Sequence, residues 1–260
     1  MRALLYPTCL VDQCWPEVGL AAGALLEHFG VEVVLADAAT CCGQPFANSG
    51  FPSCTVPLAA QLVTQFEQSR ADCVVLPSGS CTAQVHHYPG LCRHDPQLAA
   101  RAAALADRTF ELSQFLLRHG HRAMPGRYRG RVGWHDSCHG LRELGIQQGP
   151  RELLRSVRGV ELVELRDAAA CCGFGGTFAM DLPKLSVAIA DHKLDTCREQ
   201  ALDLLVAGDA SCLMHLRSRL VARGEALPVA HLAQVLAAGL PGVPEIPIGP
   251  GLQAMPRGGC

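Results

Sequence analysis

Eight of the fourteen cysteines in this chain fall into two matching sets. Cys9, Cys41, Cys42 and Cys81 form the first, and Cys138, Cys171, Cys172 and Cys212 form the second. In each set a lone cysteine precedes an adjacent pair, with 31 intervening residues in one case and 32 in the other. The pair is followed by glycine, giving Cys41-Cys42-Gly43 and Cys171-Cys172-Gly173. An apolar run and a small polar turn then lead to the fourth cysteine. Four thiolates are what a [4Fe-4S] cluster or an all-cysteine zinc site requires. Adjacent cysteines point in divergent directions, which suits two irons of one cluster better than one zinc ion, whose sites usually draw on pairs two to four residues apart. The glycine after each pair, and Gly175-Gly176 after the second, lets backbone amides approach cluster sulfurs. Iron-sulfur is thus the leading reading, zinc in one or both sets the second, and inert buried cysteines the third.

The rest of the composition fits redox or metal work in a reducing compartment. The chain has 260 residues, 49% of them hydrophobic, and a formal charge of -2 without any run of like charges, so nothing invites nucleic acid or an anionic membrane. Glu17, Glu27 and His28 interrupt the apolar N-terminal stretch, so neither a signal peptide nor a spanning helix is expected there, and the expected location is cytoplasmic. Thiols in that compartment stay reduced, which sets aside a disulfide scaffold. The segment Gly173-Phe174-Gly175-Gly176 is not a dinucleotide loop, because Phe178 stands where the third glycine belongs. Neither half contains the closely spaced cysteine run of a ferredoxin module.

The elements that must position these cysteines also repeat. Short aliphatic runs predict strands over 2–6, 31–35 and 73–76, and again over 131–134, 160–165 and 203–206. Helical spacing lies between them at 16–29, 56–68 and 182–198. The segment 111–116 matches 231–236 in pattern. The expected fold is α/β: two tandem pseudo-symmetric units, 1–120 and 131–240, each a small, mainly parallel sheet flanked by helices. The Arg-, Pro- and Gly-rich stretch 120–130 reads as the connector, and 241–260, ending at Cys260, as a flexible tail. Each cysteine landmark then falls just past a strand end, where such sheets place ligand sites.

Other side chains border the sets. His135 and His139 flank Cys138 and could carry a proton, though polar residues of a strand-to-helix turn, with Asp136 or Ser137 capping, is the plainer reading. His86 and His87 read as a solvated pair. His215, one helical turn past Cys212, either faces the second set or is a satisfied buried histidine. Cys73 reads as core and Cys54, Cys92, Cys197 and Cys260 as incidental, while Cys14 is a candidate extra ligand.

The pattern of a cysteine, about thirty residues, Cys-Cys-Gly, and a cysteine-containing turn, present twice, resembles the cysteine-rich CCG domain. That domain occurs in the cysteine-rich subunit of heterodisulfide reductase, in the iron-sulfur subunit of glycolate oxidase and in lactate utilisation protein A. The segments Thr8-Cys9-Leu10-Val11-Asp12, Pro77-Ser78-Gly79-Ser80-Cys81 and Ser211-Cys212-Leu213-Met214-His215 look most like the last family, over about residues 2–240. The resemblance implies an iron-sulfur electron-transfer subunit of a multi-subunit system oxidising L-lactate to pyruvate. Its partners would be a ferredoxin-type subunit and a third small subunit, and the isolated chain would be inactive without them. The eight cysteines would be its ligands. Alternatives are a thiol/disulfide or 2-hydroxy-acid oxidoreductase subunit of the heterodisulfide reductase or glycolate oxidase type, and a zinc-stapled interaction module. The longer CCG pattern ends in Cys-x-x-Cys, but here Ser78 and Asp209 occupy the first of those positions, leaving four thiolates per set. Ser78 reads as a cap or turn former. Asp209 reads as an N-cap, with an oxygen ligand as the alternative.

Overall fold

The computed structural model describes residues 1–36 and 39–246. It contains two four-stranded sheets, both wholly parallel. The first comprises β1 (Arg2–Leu5), β2 (Glu32–Leu35), β3 (Cys73–Leu76) and β4 (Thr109–Glu111), in the order β2-β1-β3-β4. The second comprises β5 (Arg127–His135), β6 (Arg158–Val163), β7 (Leu204–Ala207) and β8 (Val229–His231), in the equivalent order β6-β5-β7-β8. The expected α/β architecture of two pseudo-symmetric units is therefore observed, with one more strand per sheet than the sequence suggested.

Burial explains the strand order. β3 and β7, Cys-Val-Val-Leu and Leu-Leu-Val-Ala, are buried along their whole length and lie inside their sheets. β2, a sheet edge, is half-exposed to exposed. Parallel neighbours need helical crossovers, and the helices Pro16–His28, Val56–Ser69 and Pro183–Glu199 supply them close to the expected bounds. In both sheets the chain leaves the first strand on one side for the second and returns on the other side for the third. That reversal creates a crevice at the carboxyl ends of β1 and β3, and another at those of β5 and β7.

The halves share one hydrophobic core. A cluster running from Leu5, Val11, Trp15 and Leu25 through Phe115 to Trp134, Leu205 and Val235 joins the facing sides of both sheets, while a second cluster around Leu62, Val74 and Leu105 fills the far side of the first sheet. Helix Pro16–His28 packs on Leu232–Leu236, and its counterpart Gln148–Ser156 packs on Leu112–Arg118, as approximate two-fold symmetry demands. The expected connector differs from what is observed: β5 begins at Arg127, so 127–130 is strand, with a register shift before Gly130. Of the expected tail, the part up to Ile246 is described and Ile246 is buried; 247–260, including Cys260, lie outside the described residues. Among the described residues no helix is long and apolar enough to cross a membrane.

Candidate metal centres

Each cysteine set is brought together at its crevice by equivalent parts of its sheet. Cys9 opens the helix Cys9–Cys14 after β1, and Cys138 opens Cys138–Arg142 after β5. Cys81 is the third residue of the helix Gly79–Leu91 after β3, and Cys212 the third of Ala210–Arg223 after β7. The pairs come from the loops after β2 and β6. Each of the four lone cysteines thus stands in the first turn of a helix at the carboxyl end of a strand.

The glycine after each pair is required by the backbone. Gly43 and Gly173 have φ of 86° and 90°, the left-handed region. A Cβ would lie 2.4 Å from Thr55 Cγ2 at the first and 2.4 Å from the Ser186 carbonyl at the second. The Thr55 hydroxyl donates to the Gly43 carbonyl at 3.1 Å, and the Ser186 hydroxyl to the Gly173 carbonyl at 2.7 Å. The amides of Gly43 and Gly173 donate to Cys41 Sγ and Cys171 Sγ at 3.4 and 3.3 Å. Thr8, immediately before Cys9, is a buried β-branched residue at φ 69°, so backbone strain is concentrated beside the first thiol.

Within each set the thiols form the same chain of contacts. Cys9 bonds Cys41, Cys41 bonds Cys42 and Cys42 bonds Cys81; Cys138, Cys171, Cys172 and Cys212 repeat the order. The Cys172 and Cys212 sulfurs are 3.0 Å apart. Hydrogen bonds from Cys42 and Cys9 bring the Cys41 thiol down to about 3, and bonds from Cys138 and Cys172 bring Cys171 down to about 2. Cys9 and Cys138 are pushed up by bonding to that thiolate and then by burial, and Cys42 and Cys172 by bonding to it, then by bonding to Cys81 and Cys212 respectively, and then by burial. Four thiols this close hold protons that a cation would displace, and that donor chemistry fits a metal centre. Cys42, Cys81, Cys172 and Cys212 are buried, while Cys9, Cys41, Cys138 and Cys171 are half-buried.

The two centres face each other across the contact between halves. Gln44 Nε2 lies 2.9 Å from His139 Nε2, linking the first Cys-Cys-Gly loop to the residue beside Cys138. The Gly79 amide donates to the Gly208 carbonyl at 3.3 Å. Ser78 caps the helix Gly79–Leu91, its Oγ accepting from the Cys81 amide at 3.3 Å. Asp209 holds the N-cap position of its own helix but makes no side-chain cap bond there. Its carboxylate accepts instead from the Ser78 hydroxyl (2.9 Å), the Ser80 amide (3.0 Å) and the Ser80 hydroxyl (2.7 Å), capping the helix of the other half. The N-cap position expected for Asp209 is thus observed, but its carboxylate turns away from its own helix because the neighbouring one offers three buried donors to it.

The other expectations divide. Asp136 forms a buried bidentate pair with Arg151 (2.8 and 2.7 Å) and accepts from Trp134 Nε1 (2.7 Å), rather than capping. Ser137 occupies the N-cap position but makes no side-chain cap bond. His135 is not part of the turn; it ends β5, fully buried. His215 Nε2 lies 3.2 Å from the Ser186 hydroxyl, and since that hydroxyl donates to Gly173, the imidazole is the donor. It is therefore a satisfied histidine supporting the second loop. His86 and His87 are exposed, and His87 pairs with Glu143 at 2.6 Å. Cys14 is exposed at the far end of the helix that Cys9 opens, so the site gains no ligand from it. Cys73 is core, as expected, and Cys92 and Cys197 are core too.

Sequence reasoning missed four groups. Tyr6, at the end of β1, is buried beside the first set, bonded in both directions to the Thr40 backbone (2.8 and 2.7 Å). Tyr88 donates to the Cys42 carbonyl at 2.8 Å. Lys193 is fully buried near Cys172, donating to the carbonyls of Asp167 and Ala168. Glu111 and His231 end β4 and β8 and begin the next helices with matching capping boxes, reaching Gln114 and Gln234. Only the last pair had a signal in sequence, the matched segments 111–116 and 231–236.

The model of a cysteine-rich domain, CCG, matches this chain twice, over residues 3–86 and 132–217, one match on each sheet. The fold and site therefore define a tandem pair of cysteine-rich CCG modules. Lactate utilization protein A of an Exiguobacterium strain is 41% identical over 237 residues, covering 91% of this chain and 97% of that protein. The protein of that name from Macrococcus caseolyticus is 42% identical over the same length, covering 91% and 96%. The chain belongs to the lactate utilization protein A family. Among solved structures, a hypothetical protein from Helicobacter pylori shares the fold, with a TM-score of 0.65 at 10% identity over 92% of this chain and 49% of that one.

Proposed function

We propose that this chain is an iron-sulfur electron-transfer subunit of a multi-subunit system that oxidises L-lactate to pyruvate. The observation that carries the reading is the pair of four-thiol chains, built alike at two sheet crevices and facing one another. Cys9, Cys41, Cys42 and Cys81 would hold one cluster, and Cys138, Cys171, Cys172 and Cys212 the other. A bound cluster supplies a one-electron store whose potential the surroundings set. The chain's own residues do the rest. The amides of Gly43 and Gly173 stabilise thiolate at Cys41 and Cys171. Buried Cys42, Cys81, Cys172 and Cys212 keep water from one side of each centre, and the half-buried thiols mark the side from which electrons enter or leave. Lactate enters through the relatives' name, and the ferredoxin-type subunit and third small subunit belong to the same proposal. No nicotinamide or flavin loop among the described residues competes with this reading.

Anaerobic purification of the full chain, with iron, sulfide and zinc analysis, tests it. The expected result is a brown protein with about four irons and four sulfides per set. A colourless chain with zinc in both sets and no labile sulfide refutes it.

A further inference from the structure

His135 sets the second centre apart from the first. It stands three residues before Cys138, where the first half has Tyr6 three residues before Cys9. Tyr6 is fully satisfied by the Thr40 backbone. His135 is fully buried, and neither ring nitrogen has a hydrogen-bond partner among the described residues. A buried imidazole left this way forfeits the water it had in the unfolded chain and gains nothing back. Its ligand atom, Cys172 Sγ and Cys212 Sγ all lie within 4.8 Å of one another, the spacing of donors around a single cation. Among the described residues no other group of three metal-ligating side chains comes as close.

We propose that His135 is a fifth donor to the metal centre of the second cysteine set, so that the two centres of this chain are chemically unlike. The inference rests on the reading that the second set holds metal, and it adds which residue completes that site. Lys193 is a further difference between the halves. Seven residues past Ser186, it places a buried ammonium near Cys172, whereas the first half has Leu62 seven residues past Thr55. The second centre therefore differs from the first both in its donor set and in the basic side chain buried beside it.

The test uses the full chain grown on 15N-histidine, purified without oxygen and reduced stepwise. Pulsed electron paramagnetic resonance should find a directly bonded histidine nitrogen at one centre only. His135→Leu, which removes an unsatisfied polar group from a buried site and so folds, should abolish that coupling and shift that centre's midpoint potential while leaving the other centre unmoved. His135→Cys should keep metal in the second set without the nitrogen coupling. Coupling that survives His135→Leu, no histidine coupling at either centre, or only the weak coupling of a hydrogen bond to sulfur overturns the proposal. A chain without iron refutes the cluster reading separately; the full chain then takes cobalt(II). A second-set visible spectrum altered by His135→Leu then upholds the His135 assignment, and an unaltered one overturns it.

Discussion

Removing the Asp209 carboxylate should destabilise the whole chain rather than one half of it. In Asp209→Ala the hydroxyls of Ser78 and Ser80 and the Ser80 amide, all buried, lose their common acceptor. Hydrogen bonds to a charged group contribute about 1.5–3 kcal/mol each, and the buried carboxylate itself carries a desolvation cost that the substitution relieves. The hydroxyls can turn toward other acceptors, but the amide cannot. The expected net loss is about 3 kcal/mol. Asp209→Asn should recover only part of it, because its amide group would meet the Ser80 or Ser78 donors with a donor of its own. Urea denaturation of the metal-free chain, followed by far-UV circular dichroism, measures the loss. A double-mutant cycle with Ser80→Ala should give a coupling of about 1 kcal/mol or more. A loss for Asp209→Ala below about 0.5 kcal/mol, the range of an ordinary surface substitution, would refute the account of Asp209 as the cap shared between halves.

Gly173→Ala should empty the second set while sparing the first, because φ of 90° and a Cβ 2.4 Å from the Ser186 carbonyl displace the loop that carries Cys171 and Cys172; iron per chain should fall by about half, given one cluster per set. Burial, with Asp209 nearby, raises the Glu111 carboxyl from 4.5 to about 7. Its folded value thus lies above its unfolded one, so its contribution is full below pH 4.5 and is lost as pH rises through 7. Glu111→Gln should flatten that decline, read from denaturation midpoints at a series of pH values. Arg151→Leu leaves the buried Asp136 without its bidentate partner and should cost about 3–5 kcal/mol in chemical denaturation.

The sequence made the site more legible than the sheets. Duplication put Cys9 against Cys138 and Cys-Cys-Gly against Cys-Cys-Gly, and a repeat of that kind survives any error in strand bounds. β3 and β7 were readable because both are continuous apolar runs, the mark of a strand buried on both faces. β4 and β8 were not, since three residues ending in a buried Glu111 or His231 look like the start of the following helix, which those side chains in fact cap. β5 was read too short because Arg127, Arg129 and Gly130 mask a strand that the shared core holds by its other residues, Tyr128 among them. The roles of Asp209 and His135 depend on what faces them from more than thirty residues away, and no local pattern carries that. Ser80 is 129 positions from Asp209, and Cys172 and Cys212 come to His135 through the chain's crossovers.

The cap that Asp209 places on the opposite half also bears on how the chain is loaded. The helix it begins carries Cys212, and the helix it caps carries Cys81, so the first turn of each bears a donor thiol and the two turns are fastened to each other. A cation that tightens one of these turns lowers the cost of ordering the other, and by reciprocity the second cation must favour the first to the same degree. Filling would then proceed pairwise: half-loaded chains would be scarce in a metal titration, and an oxidant that strips one set would leave its twin easier to strip.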